Sequence, residues 1–229
     1  MKTKLYLIPG TMCTEQLWQF LLPSLSDEFE LCYLTIPNKM SLDDISDHLV
    51  AQFEEDRVNL LGFSLGGYIA SLVASRFPER LNKLMVLANS PCALNADELS
   101  LRKQTVSILK RFGYKGMPRV KAEALLAEKS ALHIDLILEM DKVLGADTLL
   151  SQLENTSSRD DLMQPLLALD CDVCFIYSQK DNLINLAWMQ ELKALAGHKM
   201  SQKMVAGSSH MLPLEEPIMI SREINTFFN

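Results

Sequence analysis

The chain has 229 residues, of which 48% are hydrophobic and 22% are charged, and this composition suits one globular domain with a sizeable core. Its 22 basic and 29 acidic residues give a formal net charge of −7, which argues against a nucleic-acid or anionic-membrane surface. Five cysteines without disulfide spacing, no leader-like start and no membrane-length apolar run predict a cytoplasmic protein.

The first part of the chain alternates short apolar strands with helices. The pattern predicts strands at 4–8, 29–34, 58–61 and 83–88. It predicts three helices. The first spans 15–22, the second begins after a cap at Ser41, and the third runs from the end of the third strand to about residue 77. Strands separated by helices indicate a parallel sheet with right-handed crossovers.

The rhythm changes after Pro91, where no strand pattern appears for about seventy residues. Helical segments are predicted at 105–112, 119–128, 134–144 and 148–153, with a break at 113–118. A strandless stretch of this length inside an alternating pattern favours a helical lid inserted at 92–162 over an ordinary helical flank.

The alternation then resumes with strands at 173–177 and 199–205 and helices at 186–195 and 218–228. The whole chain, residues 1–229, is therefore predicted to be one α/β domain. It has three layers, with a mostly parallel sheet of about six strands and helices on both faces. Ligands in such sheets bind beyond the carboxyl ends of the strands.

Ser64 lies in the pattern Gly62-Phe63-Ser64-Leu65-Gly66, between an apolar strand and a helix of small and apolar residues. The pattern alone is common, but a sharp strand–turn–helix context is what a nucleophile elbow requires. The turn would hold the Ser64 hydroxyl out at the carboxyl edge of the sheet, with the Leu65 N–H at the start of the helix.

A serine hydroxyl needs a neighbouring base, and the base needs an orienting carboxylate. His210 follows the last predicted strand, so it should share the sheet edge with Ser64, unlike the three other histidines, His48, His133 and His198.

Asp181 ends the strand at 173–177 and is the candidate carboxylate, although an ordinary capping role is an alternative. Glu215 and Glu216 also lie near His210 in the sequence. We expect them to open the final helix, where the helix dipole favours acidic side chains and accounts for their presence. The predicted catalytic residues are therefore Ser64, Asp181 and His210.

The second donor of an oxyanion hole should come from the loop after the first strand, Pro9-Gly10-Thr11-Met12. Counting past Gly10 predicts the Thr11 N–H as partner of the Leu65 N–H, with the Met12 N–H as the alternative. Met12, Phe63 and Met211 are expected to line the substrate pocket. No metal ligand set and no phosphate-binding loop is present in the sequence, so neither a metal nor another cofactor is predicted.

Taken together, these motifs resemble the α/β-hydrolase superfamily, in particular small lidded carboxylesterases, enol-lactone hydrolases and cofactor-free haloperoxidases. The resemblance rests on these segments: Leu7-Ile8-Pro9-Gly10 with Trp18, Gly62 to Gly67, Phe77 to Arg80, Ser178 to Asp181, Ser209-His210 and Glu216-Pro217. Two departures are that the family's usual His-Gly is Pro9-Gly10 here, and that its usual glycine at the start of the acid loop is Ser178.

The sequence therefore predicts a serine hydrolase that cleaves a small carboxylic ester or related acyl compound through an acyl-enzyme on Ser64. A C–C bond hydrolase or lyase would use the same three residues, and an acyltransferase or a non-catalytic ligand-binding module are further alternatives. The expected partner is a small acyl substrate, without nucleic acid or membrane, and the chain is expected to be a monomer or a homodimer.

Overall fold

The computed structural model describes residues 2–197 and 200–229, and a sheet of six strands forms its centre. The strands are β1 (Thr3–Ile8), β2 (Phe29–Tyr33), β3 (Val58–Phe63), β4 (Leu81–Leu87), β5 (Asp172–Ser178) and β6 (Met200–Val205). They lie in the order β2-β1-β3-β4-β5-β6, and every neighbouring pair is parallel. The predicted six-stranded parallel sheet is thus confirmed, while Lys199, the expected first residue of the last strand, lies outside the described residues.

Helices connect the strands and begin at recognisable caps. They are α1 (Leu42–Val50), α2 (Leu65–Arg76), α3 (Ala96–Phe112), α4 (Arg119–Ala124), α5 (Ala131–Asn155), α6 (Met163–Leu167), α7 (Leu186–Ala196), α8 (Leu212–Glu215) and α9 (Pro217–Phe228). Ser41 and Asp44 form a capping box at α1, and Asn95 and Asn185 cap α3 and α7. Each such cap satisfies a backbone N–H that the helix itself leaves free, which contributes about 1 kcal/mol.

The sheet is buried on both faces because apolar helices cover each side. On one side, α1, α2, α6 and α7 pack on a cluster that includes Leu49, Ile69 and Phe175. On the other side, α9 and parts of α4 and α5 pack on a cluster that includes Trp18 and Ile176. Every residue of β3 is buried, as expected for a central strand covered on both faces.

The structure does not contain the α-helix predicted at 15–22. Two short 3-10 turns, Glu15–Trp18 and Leu22–Ser24, occupy this stretch. The chain makes i to i+3 bonds here, such as the Leu17 N–H to the Thr14 carbonyl at 3.1 Å and the Leu21 N–H to the Trp18 carbonyl at 3.0 Å, and these turns are tighter than α-helical ones. The apolar residues that suggested a helix, among them Trp18, are nevertheless buried.

Between β4 and β5 the regular elements are all helices, as the sequence predicted. Helix α3 begins earlier than expected because Asn95 caps it, and α4 ends at Ala124 and not at residue 128. Gly145 has a positive φ of 71° and divides α5 into two parts, close to the predicted boundary between 134–144 and 148–153. The break at 113–118 is held by Asp141, whose carboxylate accepts hydrogen bonds from the Met117 N–H at 2.8 Å and from the Tyr114 hydroxyl. None of the helices in the described ranges has the length and apolar character needed to cross a bilayer.

Candidate active site

Ser64 occupies a sharp turn between β3 and α2, with φ 51° and ψ −119°. A positive φ costs a non-glycine residue about 1–3 kcal/mol, so the surrounding structure must hold it in place. The Ser64 N–H donates to the Leu87 carbonyl at 2.9 Å, and the Ser64 carbonyl accepts from the Gly67 N–H at 2.8 Å. The half-buried side chain thus stands at the carboxyl edge of the sheet.

Two glycines allow the chain to close around this turn. A Cβ on Gly62 would lie 2.2 Å from the Gly66 carbonyl oxygen, and one on Gly66 would lie 2.3 Å from the carbonyl oxygens of Ile8 and Pro9. Both distances are far below van der Waals contact. Helix α2 can therefore approach β3 and the end of β1 only because these positions lack a side chain.

His210 bridges Ser64 and Asp181. Its Nδ1 lies 2.7 Å from Asp181 Oδ2, and its Nε2 lies 3.0 Å from Ser64 Oγ. The second carboxylate oxygen of Asp181 accepts a hydrogen bond from the Leu183 N–H at 2.9 Å. His210 and Asp181 are both buried. The three residues predicted from the sequence therefore form one continuous hydrogen-bonded chain.

The loops that carry Asp181 and His210 are joined side by side. The Gln179 N–H donates to the Val205 carbonyl at 2.8 Å, and the Lys180 N–H donates to the Gly207 carbonyl at 2.9 Å. The hydroxyl of Ser178, the position where a glycine is usual, donates to the Ser209 carbonyl at 2.5 Å. This serine adds a third link between the two loops and fixes the distance between acid and base.

The loop after β1 lies directly beside Ser64. A Cβ on Gly10 would lie 3.1 Å from Ser64 Cβ, which measures how closely this loop approaches. The Met12 N–H already donates to Gln152 Oε1 at 3.0 Å. The Thr11 N–H and the Leu65 N–H, in the first turn of α2, have no protein acceptor among the described residues. Of the two alternatives for the second oxyanion donor, the geometry therefore favours Thr11.

The three predicted pocket residues, Met12, Phe63 and Met211, are almost fully buried. The Phe63 ring packs against the imidazole of His210, with 5.3 Å between ring centroids and 49° between the ring planes. A cavity of about 550 Å³ opens nearby between Pro9, Trp18, Ile36, Leu144 and Gln152, and none of the three predicted residues lines it. Their role as substrate contacts stays a prediction.

Sequence reasoning missed the residues of the helical segment that contact the site. The Leu125 carbonyl accepts the backbone N–H groups of His210, at 2.9 Å, and Met211, at 3.3 Å. Gln152 reaches the loop after β1, as described above. Both contacts join positions far apart in the chain, and periodicity marks these residues only as parts of helices.

Glu215 also has a role that differs from the one expected. It belongs to the short helix α8, and α9 opens at Pro217 instead. Its carboxylate accepts hydrogen bonds from the Ala127 N–H at 2.9 Å, from the Glu128 N–H at 2.7 Å and from the Ser209 hydroxyl. Glu215 thus ties the helical segment to the loop of His210, and the helix dipole is not needed to explain it.

The other histidines lie away from this chain of residues. His48 is exposed in the last turn of α1, and the His133 ring packs against Phe20 with 5.5 Å between ring centroids. His198 lies outside the described residues. Only His210, of the described histidines, contacts Ser64.

The cysteines are poor nucleophiles in this fold. Burial raises the pKa of the Cys13 thiol, which follows Met12 in the loop after β1, to about 12. Burial also raises the pKa of Cys171 and of Cys174, the two residues of the CxxC pattern. A raised pKa lowers the thiolate fraction at neutral pH, and Ser64 is therefore the better candidate nucleophile. The described residues contain no group of three or more His, Cys, Asp or Glu side chains that could hold a metal ion.

A family model for the alpha/beta hydrolase fold matches residues 23–118, the part of the chain that includes Ser64. A pimeloyl-[acyl-carrier protein] methyl ester esterase of Pectobacterium carotovorum is 30% identical over 155 residues, which cover 64% of this chain and 53% of that protein. A Proteus mirabilis protein of the same name is 27% identical over 203 residues, which cover 80% of this chain and 76% of that protein. The match to the Pectobacterium protein thus spans about half the length of that relative.

Solved structures share the fold at low sequence identity. A thermophilic esterase from Thermogutta terrifontis superimposes with a TM-score of 0.81 at 18% identity, covering 99% of this chain and 89% of the esterase. An enol-lactonase from Burkholderia xenovorans LB400 superimposes with a TM-score of 0.81 at 14% identity, covering 99% of this chain and 91% of the enol-lactonase. By its parallel sheet and its superposition on these structures, the chain has the α/β-hydrolase fold.

Proposed function

We propose that this protein is a serine hydrolase that cleaves a small carboxylic ester through an acyl-enzyme on Ser64. The observation that carries the proposal is the continuous chain from Ser64 Oγ through His210 to Asp181, with contacts of 3.0 and 2.7 Å. A nucleophile, its base and an orienting carboxylate are the parts that acyl transfer requires.

In the first half of the reaction, Ser64 Oγ attacks the ester carbonyl carbon while His210 Nε2 accepts the hydroxyl proton. Asp181 stabilises the imidazolium that forms. The Leu65 and Thr11 N–H groups hold the negative oxygen of the tetrahedral intermediate. When the C–O bond of the ester breaks, His210 returns the proton to the leaving alcohol.

In the second half, a water molecule attacks the acyl-enzyme and His210 Nε2 accepts a proton from it. Collapse of the second tetrahedral intermediate releases the carboxylic acid and returns the proton to Ser64 Oγ. Asp181 stays ionised throughout. His210 is the base in both halves of the reaction because it has lost its proton again before water attacks.

The helical segment 92–162 would act as the lid of this site. It contacts the site at two places, through the Leu125 carbonyl and through Gln152. Contacts with the loop of His210 and with the loop after β1 support a role in excluding bulk water, which strengthens the electrostatic interactions inside.

The substrate class is proposed from the relatives, which are named as methyl ester esterases, and this makes methyl esters of acyl compounds the first substrates to test. The cavity of about 550 Å³ beside Pro9 is lined by none of Ser64, Asp181 and His210, so a series of acyl lengths measures the acyl site directly.

The site lies within one chain, so we expect activity from a monomer as well as from a homodimer. All five cysteines are free, in keeping with the cytoplasmic location that we propose. A ligand-binding module without catalysis would need neither a base nor an orienting acid, and the short contact between His210 and Ser64 argues against that alternative.

The experiment is hydrolysis of methyl and p-nitrophenyl esters of increasing acyl length, with the Ser64→Ala variant as control. We expect turnover by the wild type, an optimum acyl length that measures the acyl site beside Ser64, and a loss on the order of 10³-fold or more in the variant. Absence of turnover with every ester, together with cleavage of a C–C bond substrate, would replace the proposal with the C–C hydrolase alternative.

A further inference from the structure

Two loops beside the candidate site contain residues in a conformation that side chains disfavour. Met12, in the loop after β1, has φ 54°, and Lys39, in the loop after β2, has φ 62°. Each such residue costs about 1–3 kcal/mol unless its surroundings stabilise it. The left-handed turns at Met12 and Lys39 therefore need contacts that hold them.

The second half of α5 provides these contacts through consecutive buried side chains. The Met12 N–H donates to Gln152 Oε1 at 3.0 Å, and the Lys39 N–H donates to Ser151 Oγ at 2.7 Å. One helical turn earlier, Thr148 Oγ1 accepts from Asn38 Nδ2 at 3.1 Å. Each left-handed residue thus donates its own N–H to α5, and at Met12 this bond adds to the one from the Cys13 N–H to the Gly10 carbonyl at 3.1 Å, which closes the turn.

The bond at Met12 is the one that bears on the reaction. Gln152 is 4% exposed and the bond is buried, so water competes weakly for either partner. Met12 directly follows Thr11, whose N–H has no protein acceptor among the described residues. Holding the Met12 N–H on Gln152 keeps it from the oxyanion and fixes the turn that presents the Thr11 N–H.

We propose that Gln152 is a positioning residue, which sets the Thr11 N–H of the oxyanion hole by holding Met12 in its left-handed turn. The proposal rests on the proposed serine hydrolase function. It assigns to the helical segment a second role beyond covering the site, because the donor geometry depends on a side chain that comes from that segment.

A positioning role for Gln152 should lower kcat specifically, which a role in packing alone would not do. An oxyanion donor stabilises the transition state more than the bound substrate, so its misplacement lowers kcat and leaves KM nearly unchanged. Complete removal of one donor costs about 10²–10³-fold in kcat. Because the Thr11 N–H is displaced and not removed, we expect a loss of about 10–100-fold.

The test compares Gln152→Met with Ser151→Ala. Methionine keeps the length and volume of glutamine and removes the strong acceptor, whereas the serine variant removes the neighbouring bond to Lys39, outside the oxyanion loop. We expect the Gln152 variant to lose about 10–100-fold in kcat with KM within about threefold, and the Ser151 variant to keep kcat within about threefold. Gln152→Ala serves the same purpose if the methionine variant does not fold.

A second readout does not depend on the ester chosen. A fluorophosphonate labels an activated serine while its phosphoryl oxygen occupies the oxyanion hole, and we expect this labelling of Ser64 to slow in the Gln152 variants. Wild type that is labelled but cleaves no ester would overturn the substrate class, while the labelling rates still test Gln152. Labelling and kcat within twofold of wild type in a folded Gln152 variant, or an equal loss in Ser151→Ala, would overturn the positioning role.

Discussion

His210 Nε2 lies 3.0 Å from Ser64 Oγ, although 146 residues separate the two in the chain. Three independent supports hold this contact. Ser64 is fixed by the elbow between β3 and α2, the imidazole of His210 is oriented by Asp181, and the His210 backbone N–H donates to the Leu125 carbonyl. In the proposed mechanism, nucleophile and base are thus aligned before a substrate binds.

The bond between Asp181 and His210 predicts the effect of an isosteric change at the acid. Asp181→Asn should lower kcat by roughly 10²–10⁴-fold without unfolding the protein, because the amide can hold the imidazole in the wrong tautomer and cannot stabilise the imidazolium. Steady-state kinetics on the best ester measures this loss. Asp172→Asn, at the exposed amino end of the same strand, is the matched control and should keep full activity. Equal activities of the two variants would exclude Asp181 as the orienting acid.

The carboxylate of Glu215 predicts a stability effect. Glu215→Gln leaves one oxygen for three donors, the N–H groups of Ala127 and Glu128 and the Ser209 hydroxyl. Because the two backbone donors are exposed and water can replace the lost acceptor, we expect a loss of about 0.5–1.5 kcal/mol in the free energy of unfolding, with a melting temperature about 2–4 °C lower for each kcal/mol. The exposed neighbour variant Glu216→Gln should melt close to wild type. Equal melting temperatures for the two variants would show that Glu215 does not stabilise the contact between the helical segment and the His210 loop.

Tyr68 predicts a pH dependence of stability. Burial raises the pKa of Tyr68 to about 12, above the value of about 10 in the unfolded chain. Between pH 10 and 12 the unfolded chain has released this proton and the folded protein still holds it. The free energy of unfolding therefore falls as the pH rises, with a contribution of up to about 1.4 kcal/mol per pH unit.

The variant Tyr68→Phe removes that contribution, so its free energy of unfolding should fall less steeply than that of wild type above pH 10. Urea unfolding at several pH values from 9 to 11.5 measures both slopes. The comparison uses the slope because the variant also loses the hydrogen bonds between the Tyr68 hydroxyl and the backbone of Asp160. Parallel curves would mean that Tyr68 titrates normally in the folded protein.

Much of the fold could be predicted because local patterns and long-range structure agree. The strand at Val58, the elbow at Ser64 and the order Ser64, Asp181, His210 follow from residue types and from the rule that parallel strands end at one edge. The helix predicted over 15–22 was wrong because apolar spacing marks which residues are buried and does not separate an α-helix from two short 3-10 turns over so few residues.

The remaining features of the site depend on side-chain contacts between distant segments. Neither Gln152 nor Glu215 belongs to a motif, and their partners lie at Met12 and at 127–128. The cavity beside Pro9 is enclosed by loops after β1 and β2 and by α5, whose relative placement no sequence pattern specifies. Residue patterns predict which residues end a strand. The contacts that α5 and the loops make with those residues depend on the packing of the whole fold.

The most direct test of the central claim is to trap the acyl-enzyme. Wild type is mixed with an excess of a p-nitrophenyl ester, quenched in acid within milliseconds to seconds, and analysed by intact mass and peptide mapping. We predict a burst of p-nitrophenol no larger than one equivalent and a mass increase equal to one acyl group on the peptide that contains Ser64, both absent in Ser64→Ala. Acylation of another residue, or ester turnover that persists in Ser64→Ala, would contradict the account.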